Sequence, residues 1–116
     1  MIDLTKRKPI RSKAITQAAK DEPCTVCGKN DGTTVFCHLN ESWAGKGIGQ
    51  KADDLGGGFF GCSFCHDIYD GRIPPSAGHS MALETNIIMR ACYRTWRRLW
   101  EKGIIGELKC SGQPKK

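Results

Sequence analysis

Four cysteines in two closely spaced pairs are the residues of this sequence best suited to chemistry. Cys24 and Cys27 form one Cys-x-x-Cys pair, and Cys62 and Cys65 form the second. Each pair can occupy two adjacent vertices of a tetrahedral zinc site, so that the intervening segment is closed into a loop. Gly28 directly follows the first pair, as expected where a tight turn needs a positive φ. The spacing predicts one structural Zn²⁺ held by all four cysteines.

A redox-active dithiol is the alternative use of a Cys-x-x-Cys motif. Such a motif typically occurs once, beside a βαβ pattern, whereas this chain has two pairs and no βαβ pattern. The total of seven cysteines is odd, which disfavours a disulfide framework. The N-terminal residues contain no apolar run of signal-peptide length, so we expect a cytoplasmic protein with reduced thiols. These features favour zinc over redox chemistry.

Two histidines lie close to the cysteine pairs in the sequence. His38 falls within 33–39, a stretch rich in β-branched and aromatic residues that predicts a strand, and His66 directly follows Cys65. A zinc-bound hairpin can bring a strand histidine and a helix histidine to one cleft. One can then activate water while the other holds a divalent cation, as phosphodiester hydrolysis requires. Alternatively, His38 is a hydrogen-bonded strand residue and His66 supports a cysteine ligand.

The elements that would position these residues are short and lie within one expected zinc-containing domain, residues 23–105. A second strand is predicted at 59–61, a short helix at 63–70 that ends at Gly71, and a long glycine-containing loop at 40–58. Residues 106–116 are expected to form a tail. Residues 1–22 are expected to form a basic arm, with a short helix near 12–20 as an option. This arm is either solvated or lies along phosphates, and its cations are Lys6, Arg7, Lys8, Arg11 and Lys13.

The longest periodic segment, residues 81–103, predicts an amphipathic helix. Its apolar positions are Ile88, Met89, Cys92, Tyr93, Trp96, Leu99 and Trp100. Its opposite, charged positions are Arg90, Arg94, Arg97 and Glu101. We expect the aromatic residues to pack in the core against the hairpin, with a base-stacking surface as the alternative. The pattern predicts a small α+β fold with a zinc-stabilised treble-clef core and a long C-terminal helix.

The charge balance favours a polyanionic partner. The net charge is +6 and the sequence pI is about 9.0, which is typical of nucleic-acid-binding proteins. Lys46 and Lys51 lie in the glycine-containing loop and either contact phosphates or are simply solvated. Arg90, Arg94 and Arg97 of the long helix are a further candidate phosphate-binding set. No apolar stretch approaches the length needed to cross a bilayer.

The order of these motifs resembles the zinc-containing His-Asn-His (HNH) nucleases, which have a ββα-metal core. More narrowly, it resembles the small prophage-encoded nucleases of the YbcO type, over roughly residues 22–105. The motifs that carry this resemblance are Cys24-x-x-Cys27-Gly28, His38-Leu39, the loop at 45–51, Asp54-Leu55, Cys62-Ser63-x-Cys65-His66-Asp67, and the helix end at 100–105.

The resemblance implies a DNA endonuclease of a bacterial host cell, of phage or prophage origin. It implies that His38 is the general base of phosphodiester hydrolysis and that His66 is a ligand of Mg²⁺ or another divalent cation. The family usually has a metal-binding aspartate before the first histidine, whereas this sequence has Cys37. A thiolate is a poor ligand for Mg²⁺, so this ligand must be replaced or the cation must be softer.

Several aspartates are candidates for the remaining roles of the site. Asp54, or less favourably Asp53, is the nearest counterpart of the middle asparagine and could orient His38 or bind the cation. Asp67 and Asp70 are further candidate cation ligands, or else plain charges on a helix surface. Two non-catalytic functions stay open: a zinc module that binds nucleic acid, and a zinc module whose tryptophan-bearing face docks a protein.

Overall fold

A computed structural model of the chain describes residues 8–47, 49–72 and 85–106. Lys6, Arg7, the predicted helix start at 81–84 and the predicted tail from 107 onward lie outside the described residues. The elements follow in the order α1 (Lys13–Gln17), β1 (Val35–His38), a 3-10 turn (Ser42–Ala44), β2 (Gly58–Gly61), α2 (Ser63–Tyr69) and α3 (Thr85–Glu101). Within the described part of the chain, no helix is both long and apolar enough to span a membrane.

The centre of the fold is a two-stranded antiparallel hairpin. β1 pairs with β2 so that Val35 lies opposite Gly61 and His38 lies opposite Gly58. Gly58 allows a close approach, since a Cβ there would come within 2.6 Å of the Cys37 carbonyl oxygen. Successive side chains of a strand point to opposite faces, and Cys37 is buried in the core while His38 is only half-buried. The hairpin thus turns His38 away from the core.

α3 packs across β2 and completes the core. The Phe60 backbone N–H donates a hydrogen bond of 2.9 Å to the buried Thr95 hydroxyl. The buried positions of α3 are Ile88, Ala91, Thr95 and Leu99.

The predicted core-facing side of α3 was partly wrong. Met89, Tyr93 and Trp96 are 64%, 69% and 43% exposed, whereas the smaller Ala91 and Thr95 are fully buried. The reason is space, because small side chains let the helix backbone approach β2 closely while the large ones are displaced to the flank.

α1 joins the core through its apolar side. Ser12 caps the helix by accepting a hydrogen bond from the Ile15 backbone N–H. Ile15 and Ala19 are buried in one cluster with Phe60 and Leu99. Further along, the buried Glu22 carboxylate binds Arg98 and Lys102 of the α3 end. From Ser12 onward, therefore, the segment interpreted as a basic arm is integrated into the fold.

The long loop predicted at 40–58 is present before β2, and it is folded back on itself. Ala52, Asp53 and Asp54 within it are buried. The Asp53 backbone N–H donates to the Ala44 carbonyl at 2.8 Å, and the Asp54 N–H donates to the Ile10 carbonyl at 2.8 Å. These bonds hold the loop beside β1. The predicted α+β fold, with its hairpin, cysteine cluster and long C-terminal helix, is confirmed.

Candidate functional site

The four cysteines of the two Cys-x-x-Cys pairs meet at one point. Their sulfur atoms all lie within 4.8 Å of one another, and the sulfurs of Cys27 and Cys62 are 3.8 Å apart. Zinc–sulfur bonds of about 2.3 Å in a tetrahedron place sulfurs about 3.8 Å apart. Three of the four residues are buried and Cys27 is exposed. The donor set and its spacing fit a structural Zn²⁺, as the sequence predicted.

Local backbone structure forms each half of this cluster. Gly28 has φ +79° and its N–H donates to the Cys24 carbonyl, which closes the turn around the first pair. The Cys27 N–H points at the Cys24 sulfur at 3.5 Å. Cys62 caps the start of α2 and Cys65 lies in its first turn. The cysteine cluster therefore links the turn at Cys24 and Cys27 to the end of β2 and the start of α2.

The thiols are close enough to share negative charge. A hydrogen bond with Cys65, against the opposing effect of burial, lowers the pKa of the Cys24 thiol to about 4. The same hydrogen bond raises the pKa of Cys65, as does its burial. Without a metal, repulsion among the sulfurs opposes ionisation of more than one thiol. A divalent cation bound at the centre removes this repulsion, so all four cysteines can bind it as thiolates.

A buried aspartate holds His38. The His38 Nε2 atom lies 2.7 Å from Asp54 Oδ1, and Asp54 is only 4% exposed. An ionised carboxylate only accepts hydrogen bonds, so Nε2 carries the proton and donates it. In the neutral ring, Nδ1 then has a lone pair that can accept a proton. Asp54 thus selects the tautomer in which His38 can act as a base.

Asp54 is itself held in place by the segment before α1. The Ser12 backbone N–H donates to Asp54 Oδ2 at 2.7 Å, and Arg11 Nη1 lies 3.5 Å from Oδ1. Burial acts to raise the pKa of the Asp54 carboxyl. The hydrogen bonds from His38 and Ser12, together with the charges of His38 and Arg11, outweigh burial and lower that pKa below its usual value. Asp54 is therefore ionised at neutral pH.

His66 forms a second polar group on α2. Its Nε2 atom lies 3.0 Å from Asp70 Oδ2, one turn further along the chain. The Arg72 guanidinium contacts the same Asp70 oxygen at 3.0 Å and donates to Asp67 Oδ1 at 2.8 Å. The structure thus places Asp70, rather than Asp67, directly beside His66. Asp67 is paired with Arg72 instead.

The two histidines open onto one cavity. A cavity of about 480 Å³ is lined by His38, His66, Asp70 and the side chains of Lys46 and Lys51, among others. The cavity lining therefore combines an oriented base, a second imidazole paired with a carboxylate, and two lysines. This arrangement can hold a divalent cation and a phosphate beside a group that deprotonates water. Among the described residues, only the four cysteines have three or more ligand atoms already within metal-binding distance of one another.

Cys37 takes no part in this cavity. It is 0% exposed and packs in the core cluster with Leu39 and Phe59. Burial raises the pKa of its thiol to about 12, so it is a neutral core residue. It follows the alternation of β1, which directs position 37 inward when position 38 faces the cavity. Cys37 therefore does not replace the family's metal-binding aspartate.

The predicted phosphate-binding cations fall into two groups. Arg11, Lys13 and Lys51 line a hollow that also contains His38 and Asp54, and Lys46 lies in the cavity described above. In contrast, Arg90 and Arg94 of α3 line a separate hollow. Arg97 pairs with Glu101 at 3.3 Å and stacks over the Trp100 ring at 5.0 Å. Lys8 is exposed near the chain start.

Sequence reasoning did not assign a role to Ser12 or Arg72. Ser12 acts through its backbone N–H, which no residue pattern distinguishes. Arg72 lies just beyond the end of α2. Its closeness in sequence to Asp67 and Asp70 was the only signal that it would form an ion pair there. Asp53, the alternative to Asp54, is buried too, but its Oδ1 accepts from the Ile10 N–H at 3.2 Å.

Comparison with protein families gives one match. The family model described as "Putative nuclease YbcO" matches residues 13–104, which is most of the chain. The matched range includes the cysteine cluster, both histidines and Asp54. Searches of curated protein sequences and of solved structures give no significant match.

Proposed function

We propose that this chain, which belongs to the YbcO nuclease family, is an endonuclease that hydrolyses DNA phosphodiester bonds with a divalent cation. One observation carries the proposal: His38, held by the buried Asp54, opens onto the same cavity as His66. Membership of the family supports a nucleic-acid substrate, and the residues that line the cavity support an HNH-like hydrolysis of that substrate. Both features lie inside the matched region.

His38 is the general base of the proposed reaction. Its Nδ1 atom takes a proton from the attacking water, because Nε2 is already committed to Asp54. The imidazolium that forms lies 2.7 Å from a carboxylate with a lowered pKa, which stabilises its positive charge. Asp54 is buried and both of its carboxylate oxygens are hydrogen-bonded within the protein, so its proposed role is to orient His38 and to balance the developing charge.

His66 and Asp70 are the proposed ligands of the catalytic cation. Their contact atoms are 3.0 Å apart and both residues line the cavity that contains His38. A cation bound there, Mg²⁺ or another divalent ion, would neutralise charge on the scissile phosphate and the leaving oxygen. Asp67 stays a further candidate ligand one turn earlier. Because Arg72 neutralises both aspartates, cation binding has to compete with this guanidinium.

The zinc centre and the surrounding cations have supporting roles in this proposal. The zinc crosslink joins the turn at Cys24 and Cys27 to the junction of β2 and α2, and is proposed to hold α2, which carries His66, against the hairpin that carries His38. Lys46 and Lys51 line the cavity, Lys13 lines the hollow that shares His38 with it, and all three are proposed to bind the DNA backbone. Contacts to phosphates carry little sequence information and weaken as salt increases. We therefore expect weak sequence specificity and strongly salt-dependent binding.

The substitution His38→Ala tests the catalytic role. Removal of a general base is expected to lower the cleavage rate about 100- to 10,000-fold. Zinc content should stay close to that of the unsubstituted protein, while the loss of the hydrogen bond to Asp54 should lower the unfolding free energy by about 1–3 kcal/mol without unfolding the chain. Cleavage of plasmid DNA is measured in Mg²⁺ and in Mn²⁺, with bound zinc measured on the same samples.

A matched control is Lys29→Ala, because Lys29 lies near the zinc knuckle and pairs with the exposed Asp31, away from the cavity. This variant should cut DNA at the original rate. If the unsubstituted protein cuts no DNA in any divalent cation, the enzymatic proposal is wrong. Salt-sensitive mobility shifts would then favour a zinc module that binds DNA without cleaving it.

A further inference from the structure

A groove with exposed aromatic walls lies on the flank of α3. We call it the aromatic groove; it has a volume of about 400 Å³, and its principal side chains are Leu39, Trp43, Tyr69, Met89, Tyr93 and Trp96. Trp43 and Tyr93 are each about two-thirds exposed. Large apolar side chains grouped on one face of a small protein usually mark a binding surface.

Positive charge adjoins the groove. Met89 and Tyr93 line both the aromatic groove and the neighbouring hollow that contains Arg90 and Arg94. Arg94 donates to the Thr25 carbonyl through Nη1, and a guanidinium has five N–H donors in all. Exposed rings beside guanidinium groups are the combination that binds unpaired nucleotides, whose bases stack on the rings while their phosphates meet the cations.

The aromatic groove adjoins the proposed active site. Leu39, the residue after His38, lines both the groove and the cavity. Asn40 lies in the cavity wall, and its backbone N–H donates to the Tyr69 hydroxyl in the groove at 2.9 Å. A DNA strand that occupies both the aromatic groove and the cavity would therefore cross the end of β1, where Leu39 and Asn40 lie.

Charge also argues against a second copy of the chain as the occupant. A two-fold dimer uses the same patch on both subunits. Contact through the groove would bring Arg90 and Arg94 of each copy towards those of the other, and each chain already carries a net charge of +6. A polyanion relieves this repulsion, whereas a second copy adds to it.

We propose that the aromatic groove binds unpaired nucleotides of the DNA substrate next to the cleaved bond. The inference rests on the proposed nuclease function and makes its substrate more specific: DNA in which a single-stranded segment adjoins the scissile phosphate. Tyr93 and Trp96 supply stacking surfaces, and Arg90 and Arg94 supply phosphate contacts. The cations around His38 hold the neighbouring part of the substrate.

Binding measurements on the full zinc-containing chain test this inference without requiring cleavage. Fluorescence anisotropy compares a labelled oligothymidylate with a labelled blunt duplex, with no divalent cation added. Tyr93→Ala should weaken binding to the oligothymidylate about 5- to 100-fold, the range expected for the loss of one stacked base. Tyr93→Phe keeps the ring and should retain the original affinity, while Tyr93→Leu keeps an apolar side chain and should not. Binding to the blunt duplex should be unchanged in all three variants.

Two results would overturn the inference. One is that Tyr93→Ala leaves oligothymidylate binding unchanged or weakens duplex binding to the same extent. The other is a concentration-dependent dimer in analytical ultracentrifugation that dissociates on the Tyr93→Ala substitution, since the groove would then be a self-association surface.

The inference and the proposed function can fail separately. If cleavage depends on His38 but oligothymidylate binding does not depend on Tyr93, only the proposal that the aromatic groove binds unpaired nucleotides is refuted. Tyr93-dependent binding to single strands without any cleavage supports the groove and refutes the nuclease proposal.

Discussion

Replacing Asp54 by Asn separates catalytic orientation from fold stability at the candidate site. In the native protein, Oδ1 of Asp54 accepts from His38 and Oδ2 accepts from the Ser12 backbone N–H, both at 2.7 Å. An asparagine offers one carbonyl oxygen and one NH₂ group for these two positions. The Ser12 N–H cannot reverse its polarity, but an imidazole can change its tautomer. The carbonyl should therefore face Ser12 and the NH₂ group should face His38.

This arrangement predicts a larger effect on catalysis than on stability. With an NH₂ group as its partner, His38 Nε2 becomes the acceptor and the proton moves to Nδ1, the nitrogen that has to receive the water proton. The base is then blocked, and the cleavage rate should fall about 100- to 10,000-fold. Both hydrogen bonds persist in neutral form. The loss of their charge-assisted character, from roughly 1.5–3 to roughly 1 kcal/mol each, should cost about 1–4 kcal/mol of unfolding free energy in total.

The neighbouring Asp53 provides a matched control. It is also buried, and it also binds a backbone N–H of the N-terminal segment, that of Ile10 at 3.2 Å. Asp53→Asn keeps a carbonyl acceptor for that bond, so it should lower stability by about 1 kcal/mol or less and leave the cleavage rate unchanged. Urea unfolding and initial rates of plasmid cleavage are measured for both variants.

The pH dependence of stability gives an independent readout. The lowered pKa of Asp54 means that its ionised form stabilises the fold above the usual aspartate pKa of about 3.9, and that this contribution is lost as pH falls through the lower folded value. The stabilities of the native protein and Asp54→Asn should therefore differ at neutral pH and begin to converge only as the pH falls towards about 4. The comparison is made only at pH values at which both proteins retain zinc, because protonation of the cysteines releases the metal. If Asp54→Asn cuts DNA at the native rate, or if Asp53→Asn is equally inactive, the orienting role of Asp54 is refuted.

Two further predictions concern the crosslinks of the fold. Cys24→Ser should abolish stoichiometric zinc binding, measured by elemental analysis. It should also prevent cooperative thermal unfolding, because structural zinc supplies on the order of 10 kcal/mol to folding. A folded variant with bound zinc would contradict the assignment of Cys24 as a ligand. Glu22→Gln should lower the unfolding free energy in urea by about 2 kcal/mol, since the buried carboxylate contacts Arg98 at 2.6 Å and Lys102 at 3.2 Å. The control Glu101→Gln alters only exposed ion pairs and should change stability by less than about 1 kcal/mol; equal losses in both variants would show that burial of Glu22 is unimportant.

The sequence by itself determined the features that depend on neighbouring residues. A Cys-x-x-Cys pair brings two ligands together through its own backbone, so both halves of the metal centre were recognisable before the fold was known. The end of α2 was equally local, because Gly71 adopts the positive φ of +78° that terminates the helix. Hydrophobic periodicity predicted a helix over 81–103, and α3 occupies 85–101 within that range, since a helix repeats every 3.6 residues whatever it packs against.

The rotation of α3 was decided only by tertiary packing. A hydrophobic pattern weights large apolar residues most heavily, and it pointed to Tyr93 and Trp96 as core. The structure differs because α3 lies close to β2, and the side chains that fit between them are those of Ala91 and Thr95. The displaced aromatic side chains became the walls of the aromatic groove.

The functional pairings of the aspartates likewise depended on the fold. Asp53 and Asp54 are adjacent in the sequence, yet only Asp54 reaches His38, across 16 residues of chain. Asp70 rather than Asp67 adjoins His66, because a helical turn places residue i+4 beside residue i. Cys37 is directed into the core by the alternation of β1 once His38 faces the cavity. The sequence determined which residue types were available, and long-range packing decided which of their atoms meet.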